Sequence, residues 1–205
     1  MNASRWSQLM KTLEFDENRE AFDFLRNSYN ERHRKYHNES HIDAVLSSLD
    51  NTKHLANDLP AVELALWYHD VVYKIFSSTN ELDSAKLGKA FVLKNSTDEQ
   101  LAENVYALIM ATQHNTQIEG NDETLIVDID LAILGSSADG YAKFEESIRQ
   151  EYKLIPWMVY KKKRIEILNW FLDREHIYFH EYFRTALEDN ARYNLSTAII
   201  NLKNA

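Results

Sequence analysis

Apolar residues recur at helical spacing along most of the chain. Ala21, Phe22, Leu25 and Tyr29 share one face of a segment at 17–30, and an i, i+3/4, i+7/8 stripe marks a helix that buries one side. With the segment at 4–13 it forms an expected N-terminal packing layer, and Asp16 is its candidate N-cap. A third helix is expected after Asn38, a second candidate cap, with Ile42, Val45, Leu46 and Leu49 on its buried face. His41 stands on that side, one turn before Val45, and His37 one turn earlier again. Pro60 suits the first turn of the next helix. Its stripe Val62, Ala65, Leu66, His69, Val72 puts a histidine where a core leucine is the usual choice. Ser78-x-x-Glu81 fits a capping box that opens a helix near Glu81, and Thr97-x-x-Gln100 opens another. The latter carries Leu101, Val105, Leu108, Ile109 and Thr112 on one face and His114 near its end.

The run from Leu125 to Leu134 is apolar almost all round, as in a buried helix or, on composition alone, a buried strand. Gly135 and Gly140 bracket an expected turn. Three further helical stretches follow: 140–153; 157–174, with Ile165, Leu168, Phe171 and Leu172; and 179–202, with Phe183, Leu187, Ala191, Leu195 and Ala198. The basic run Lys161 to Arg164 reads as a solvated helix side.

Composition narrows the picture to an all-α fold. The 205 residues include only four Gly and two Pro, too few turn formers for a β-rich chain. The length suits one core, so a single domain over 1–205 is expected. A net charge of −9 opposes general nucleic-acid or anionic-membrane binding, though a local basic patch can still hold a small phosphorylated molecule. Absence of Cys excludes disulfides, thiol catalysis and Cys-type zinc sites. Without a signal-like N-terminus or a membrane-length apolar run, a cytoplasmic location is expected. The sequence sets no oligomeric state.

The chemistry gathers around His69-Asp70, two polar side chains inside an apolar run, where burial costs free energy unless they are paired. An inward His followed by Asp is either a hydrogen-bonded core pair or two ligands of one metal ion. Asp130 shares a helical stripe with Ile126, Ile129 and Ile133, whereas Asp128 lies further from its apolar centre, so Asp130 is expected to face inward. Across the predicted helices the inward polar set is His41, His69, Asp70, His114 and Asp128 or Asp130, which a bundle can converge on one core site. Two His and two Asp suit Mn²⁺, Fe²⁺, Co²⁺, Ni²⁺ or Zn²⁺ better than Mg²⁺. His37, His114 and Asp128 are candidates for a second ion or for supporting contacts.

The ordered pattern of His, then His-Asp, then Asp resembles the HD-domain superfamily of metal-dependent phosphohydrolases. His41-Ile-Asp-Ala-Val45 is similar to its first ligand motif, His69-Asp70 to its doublet and Asp130-Leu131 to its final ligand motif. Arg34-x-Tyr36-His37, Asn80-Glu81 with Ser84-Ala85, Ile133-Leu134-Gly135, Glu151-Tyr152 and Ala191-Arg192 with Asn194-Leu195 resemble an uncharacterised bacterial branch, the predicted HD phosphohydrolases. The resemblance implies an HD-type helical bundle with a motif-bearing core at about 34–135 and a helical extension at about 139–202. It further implies metal ligation by His41, His69, Asp70 and Asp130, and hydrolysis of a phosphoester or phosphoanhydride in a small molecule, with nucleotides as one class. Glu81, Asp70 or a non-ligating Asp128 would serve the proton transfers. Arg32, Arg34, Lys35 and Lys74 are the basic residues nearest the motifs and the candidates for phosphate oxygens. Many family members follow the doublet with small residues and a Lys or His; here Val71-Val72-Tyr73-Lys74 stands instead, leaving the phosphate anchor open. Two other readings are a non-catalytic ligand-binding or regulatory module and a di-iron oxygenase.

Overall fold

The protein, described at residues 1–114, 118 and 120–205 in a computed structural model, is all-α. Its helices are α1 (Ala3–Thr12), α2 (Arg19–Tyr29), α3 (Glu39–Thr52), α4 (Leu59–Tyr68), α5 (Asn80–Asn95), α6 (Glu99–Ala111), α7 (Asn121–Leu131), α8 (Ala138–Glu151), α9 (Trp157–Leu172) and α10 (Glu181–Asn204), with no strand among the described residues. The run at 125–134, open between helix and strand by composition, is helical: α7 ends at Leu131 and a 3-10 turn over Ala132–Gly135 continues it.

The chain divides into two compact units, Met1–Ile129 and Asp130–Ala205, and the division falls inside the last turn of α7. In the first unit α4 is the centre, packed on α1, α3, α5 and α6. Ala61, Val62 and the whole stretch Leu64–Tyr68 are buried, the signature of a helix with no solvent face. Asp58 starts it by accepting from the Ala61 amide, and Pro60 occupies the first turn. Trp6 of α1, Phe22 of α2, Trp67 of α4 and Phe91 of α5 meet as an aromatic cluster, with Trp6 edge-on to Trp67 at 5.5 Å.

In the second unit the 3-10 turn packs on α8 and α10, and α10 on α8 and α9. Gly135 is required there: a Cβ would stand 2.5 Å from the Leu187 Cβ and 2.7 Å from its carbonyl oxygen. Asn194 donates to the carbonyls of Leu134 and Ser136 at 2.9 Å each, satisfying oxygens that the ending helix leaves over.

Local chemistry departs from expectation at several ends. Asn18, not Asp16, precedes α2, in a left-handed conformation (φ 49°) without a side-chain cap bond. Asp98, not Thr97, caps α6, its carboxylate accepting from the Leu101 amide at 2.9 Å. Thr79 is the N-cap residue of α5 and makes no cap bond, so the Ser78–Glu81 capping box does not form. Gly140 lies inside α8 rather than in a turn. Arg164, expected on a solvated side, instead forms a two-bond pair with Glu145 at 3.1 and 2.6 Å in partly buried surroundings.

Candidate metal centre

Asn38 opens α3 by accepting from the Ser40 amide at 2.9 Å, which sets His41 in the first turn, 4% exposed. At the far end of α4 the helix stops at Tyr68, and His69, still helical in backbone (φ −56°, ψ −37°), is its C-cap. The doublet thus sits one step past the helix rather than within it, while His69 keeps the phase of the Val62–Leu66 stripe. His69 Nδ1 lies 2.9 Å from the Leu66 carbonyl oxygen. A carbonyl only accepts, so Nδ1 carries a proton, and whenever the ring is neutral its Nε2 lone pair faces inward. The same bond satisfies one of the carbonyls orphaned by the helix end.

His41 Nε2 stands 3.0 Å from His69 Nε2, and the Asp70 carboxylate lies 3.2 Å from His69 Nε2 and 3.5 Å from His41 Nε2. Nitrogen and oxygen ligands about 2.1 Å from one ion are separated by about 3.0 Å at octahedral right angles and about 3.4 Å at tetrahedral ones. The observed triangle therefore fits adjacent ligands of a single ion. Asp130, in the last turn of α7, forms a second group with the same two histidines: one ligand atom each from His41, His69 and Asp130 lies within 4.8 Å of the others, a group that does not include Asp70. This mixed imidazole and carboxylate group can hold a metal ion. Asp128 is more deeply buried than Asp130, fully enclosed against half-buried, the reverse of their expected order. Asp130 nonetheless belongs to the histidine group and Asp128 does not.

Opposed effects act on the Asp70 carboxyl. Burial raises its pKa, but the positive charge of the His69, His37 and His41 rings when protonated outweighs this and holds it below the usual carboxylate range. His37 is thereby near Asp70, its ring stacked on Tyr73 at 4.2 Å and 6.1 Å from the His41 ring. His114 follows α6 in a left-handed conformation (φ 60°), and it lies outside the three-residue group. Glu81 is in the first turn of α5, half-buried.

Of the expected phosphate-binding residues, Arg34 is corrected. Its side chain is sealed from solvent and its guanidinium donates to the carbonyls of Asp70 (2.6 Å), Val71 (2.8 Å) and His37 (3.2 Å) and to Glu31 (3.0 Å). Its donors are engaged by the fold, not presented to a ligand. Lys35, Lys74 and Arg32 are exposed. Other side chains hold the backbone on either side of the doublet. Tyr29 Oη donates to the Trp67 carbonyl at 3.0 Å, Ser84 Oγ accepts from the Val72 amide at 3.0 Å, and His33 Nε2 lies 2.9 Å from the Tyr73 carbonyl. Asn80 both accepts from the Lys74 amide and donates to its carbonyl at 3.0 Å each. The one-turn spacing of Asn80 and Ser84 on an N-terminal helix face was the available signal.

Comparison with known proteins gives no match: no family model, no curated protein and no solved structure is similar to this chain.

Proposed function

We propose that this protein is a metal-dependent phosphohydrolase of the HD type, cleaving a phosphoester or phosphoanhydride of a small molecule such as a nucleotide. The observation that carries this reading is the meeting of His41 and His69 Nε2 at 3.0 Å beside the Asp70 carboxylate, with Asp130 grouped with the same two histidines. The order of these residues along the chain matches the HD pattern set out above, and His69 Nδ1 on the Leu66 carbonyl fixes the ligating tautomer.

His41, His69, Asp70 and Asp130 would hold a divalent transition metal. When bound, such an ion supplies Lewis-acid charge for a phosphoryl oxygen and acidifies water at the site. The remaining work falls to the chain's own groups. Glu81 would accept the proton of the attacking water. Lys74, exposed four residues after Asp70, and Lys35, exposed after Arg34, would meet phosphate oxygens. The Leu66 carbonyl keeps His69 oriented throughout.

Elemental analysis of the purified protein, followed by phosphate-release assays on nucleotides and phosphoesters with Mn²⁺, Co²⁺, Ni²⁺ or Zn²⁺, tests the reading. Stoichiometric metal and release that is lost in His69→Ala are expected. Failure to bind any of these ions overturns the reading; ligand binding without phosphate release across the panel replaces it with a binding module.

A further inference from the structure

The backbone from His69 to Lys74 leaves the helix and has no regular ladder to satisfy it. Unpaired carbonyls in the interior are costly, and here side chains from elsewhere in the first unit supply the partners. Arg34 does the largest share. Its Nη1 bonds both the Asp70 carbonyl at 2.6 Å and the His37 carbonyl at 3.2 Å, and its Nη2 bonds the Val71 carbonyl at 2.8 Å. The guanidinium is flanked by the rings of Tyr29 and Tyr73 at 5.3 and 5.5 Å and held at Nε by Glu31 at 3.0 Å.

One planar cation thus ties the segment entering α3, which carries His41, to the residue immediately after His69. The position of one imidazole relative to the other, and of the Asp70 carboxylate relative to both, is set through this bridge. We infer that Arg34 is a positioning residue of the metal centre, fixing the His41, His69 and Asp70 ligand spacing and so the affinity for metal. The inference rests on the metal-binding part of the function proposed above. Lysine cannot replace it, because a single ammonium nitrogen lacks the flat fork that spans three carbonyls on two segments.

Arg192 supplies a matched control in the other unit. It too serves three carbonyls, Leu172 at 3.2 Å, Arg174 at 2.9 Å and Glu175 at 2.7 Å, with Glu188 on its Nε at 2.8 Å. Titration of the full chain with Co²⁺ alone, read by its visible spectrum, is combined with melting of the metal-free protein. Arg34→Lys is expected to bind Co²⁺ about 10–100-fold more weakly, with an altered spectrum, whereas Arg192→Lys lowers melting and leaves affinity and spectrum at wild-type values. Wild-type affinity and spectrum in folded Arg34→Lys overturn the inference whatever the melting temperature. Should Arg34→Lys fail to fold, Ser84→Ala decides, because it releases the Val72 amide on the same strap. Weaker Co²⁺ binding in Ser84→Ala supports the positioning account; unchanged binding overturns it. Absence of Co²⁺ binding in the wild-type chain overturns the metal reading itself, before any variant is compared.

Discussion

His41 and His69 approach each other through Nε2 atoms 3.0 Å apart, both rings buried. Two ring nitrogens that close must share a proton or a cation. The Nδ1 proton of His69 is committed to the Leu66 carbonyl, so in the neutral ring Nε2 is the lone-pair side.

Metal is therefore expected to stabilise the fold. At a free ion concentration 100-fold above the dissociation constant, linkage gives about 2.7 kcal/mol, visible as a rise in melting temperature that EDTA reverses. His69→Ala and Asp70→Ala are expected to lose both the bound ion and the rise, as measured by elemental analysis and calorimetry on the same samples.

Asp128 and Asp130 are expected to separate cleanly. Asp130→Asn weakens the ligand set and lowers metal affinity with the melting temperature of the metal-free protein nearly unchanged. Asp128, wholly enclosed in α7, is expected to act on stability: Asp128→Ala removes a buried carboxylate that has a partner and is expected to cost about 1–3 kcal/mol. Urea unfolding without metal and titration with metal distinguish the two. Metal loss confined to the Asp128 variant would reverse the assignment.

The helical class was legible because stripes such as Ile42, Val45, Leu46, Leu49 and the all-round apolar run of α4 admit one period and leave few turn formers over. His41, His69 and Asp130 were legible as polar intrusions into such stripes, and Asp70 as the acidic neighbour of His69. What the stripes could not reveal is how backbone groups outside helices find partners. Arg34 carries the charge of a phosphate binder, yet three carbonyls claim it. Helix phase also misjudged the burial of Asp128, since all five residues from Leu125 to Ile129 are buried and leave no outward stripe there. Ends were least legible: Asn18 stands before α2 in place of the expected Asp16, and Asp98 caps α6 in place of the expected Thr97, because neighbouring cap-forming residues differ only in the path the chain takes into the helix.

Buried phenols predict the alkaline limit of stability. Burial pushes Tyr68 and Tyr141 above their ordinary value of 10.0, the Glu145 carboxylate adding to the effect at Tyr141. The unfolded phenols ionise near that ordinary value while the folded ones keep their protons. Their contribution is thus complete below pH 10 and is lost as pH rises through it toward the folded values. Urea midpoints at about pH 8 and about pH 11 are expected to fall steeply for wild type and less steeply for Tyr141→Phe.

Two glycines are expected to answer Ala substitution differently. At Gly135 the new Cβ meets Leu187 backbone as well as side chain, which cannot swing aside, so Gly135→Ala is expected to cost about 1–3 kcal/mol. At Gly88 the closest atom is the Ile109 Cδ1 methyl at 2.7 Å, the mobile end of a side chain. Alanine also favours a helix interior by about 1 kcal/mol, so Gly88→Ala is expected to change stability little. Denaturant midpoints of the two variants provide the comparison.

Glu81 separates catalysis from structure within the proposed function. Because the N-cap residue of α5 is Thr79 and no side-chain cap bond forms, the capping box that would have explained a glutamate at this position is missing. A carboxylate in the first turn is favoured by the helix dipole, an effect that Gln would forfeit at a cost of about 0.3–1 kcal/mol. That cost is small and touches no metal ligand. Loss of proton transfer is not small: Gln cannot accept the proton of the attacking water, so turnover in Glu81→Gln is expected to fall about 10²–10⁴-fold. Bound metal and melting temperature are expected to stay close to wild type. Phosphate release, metal content and melting measured on one Glu81→Gln preparation decide it, and turnover at the wild-type rate returns Glu81 to a helix-end role.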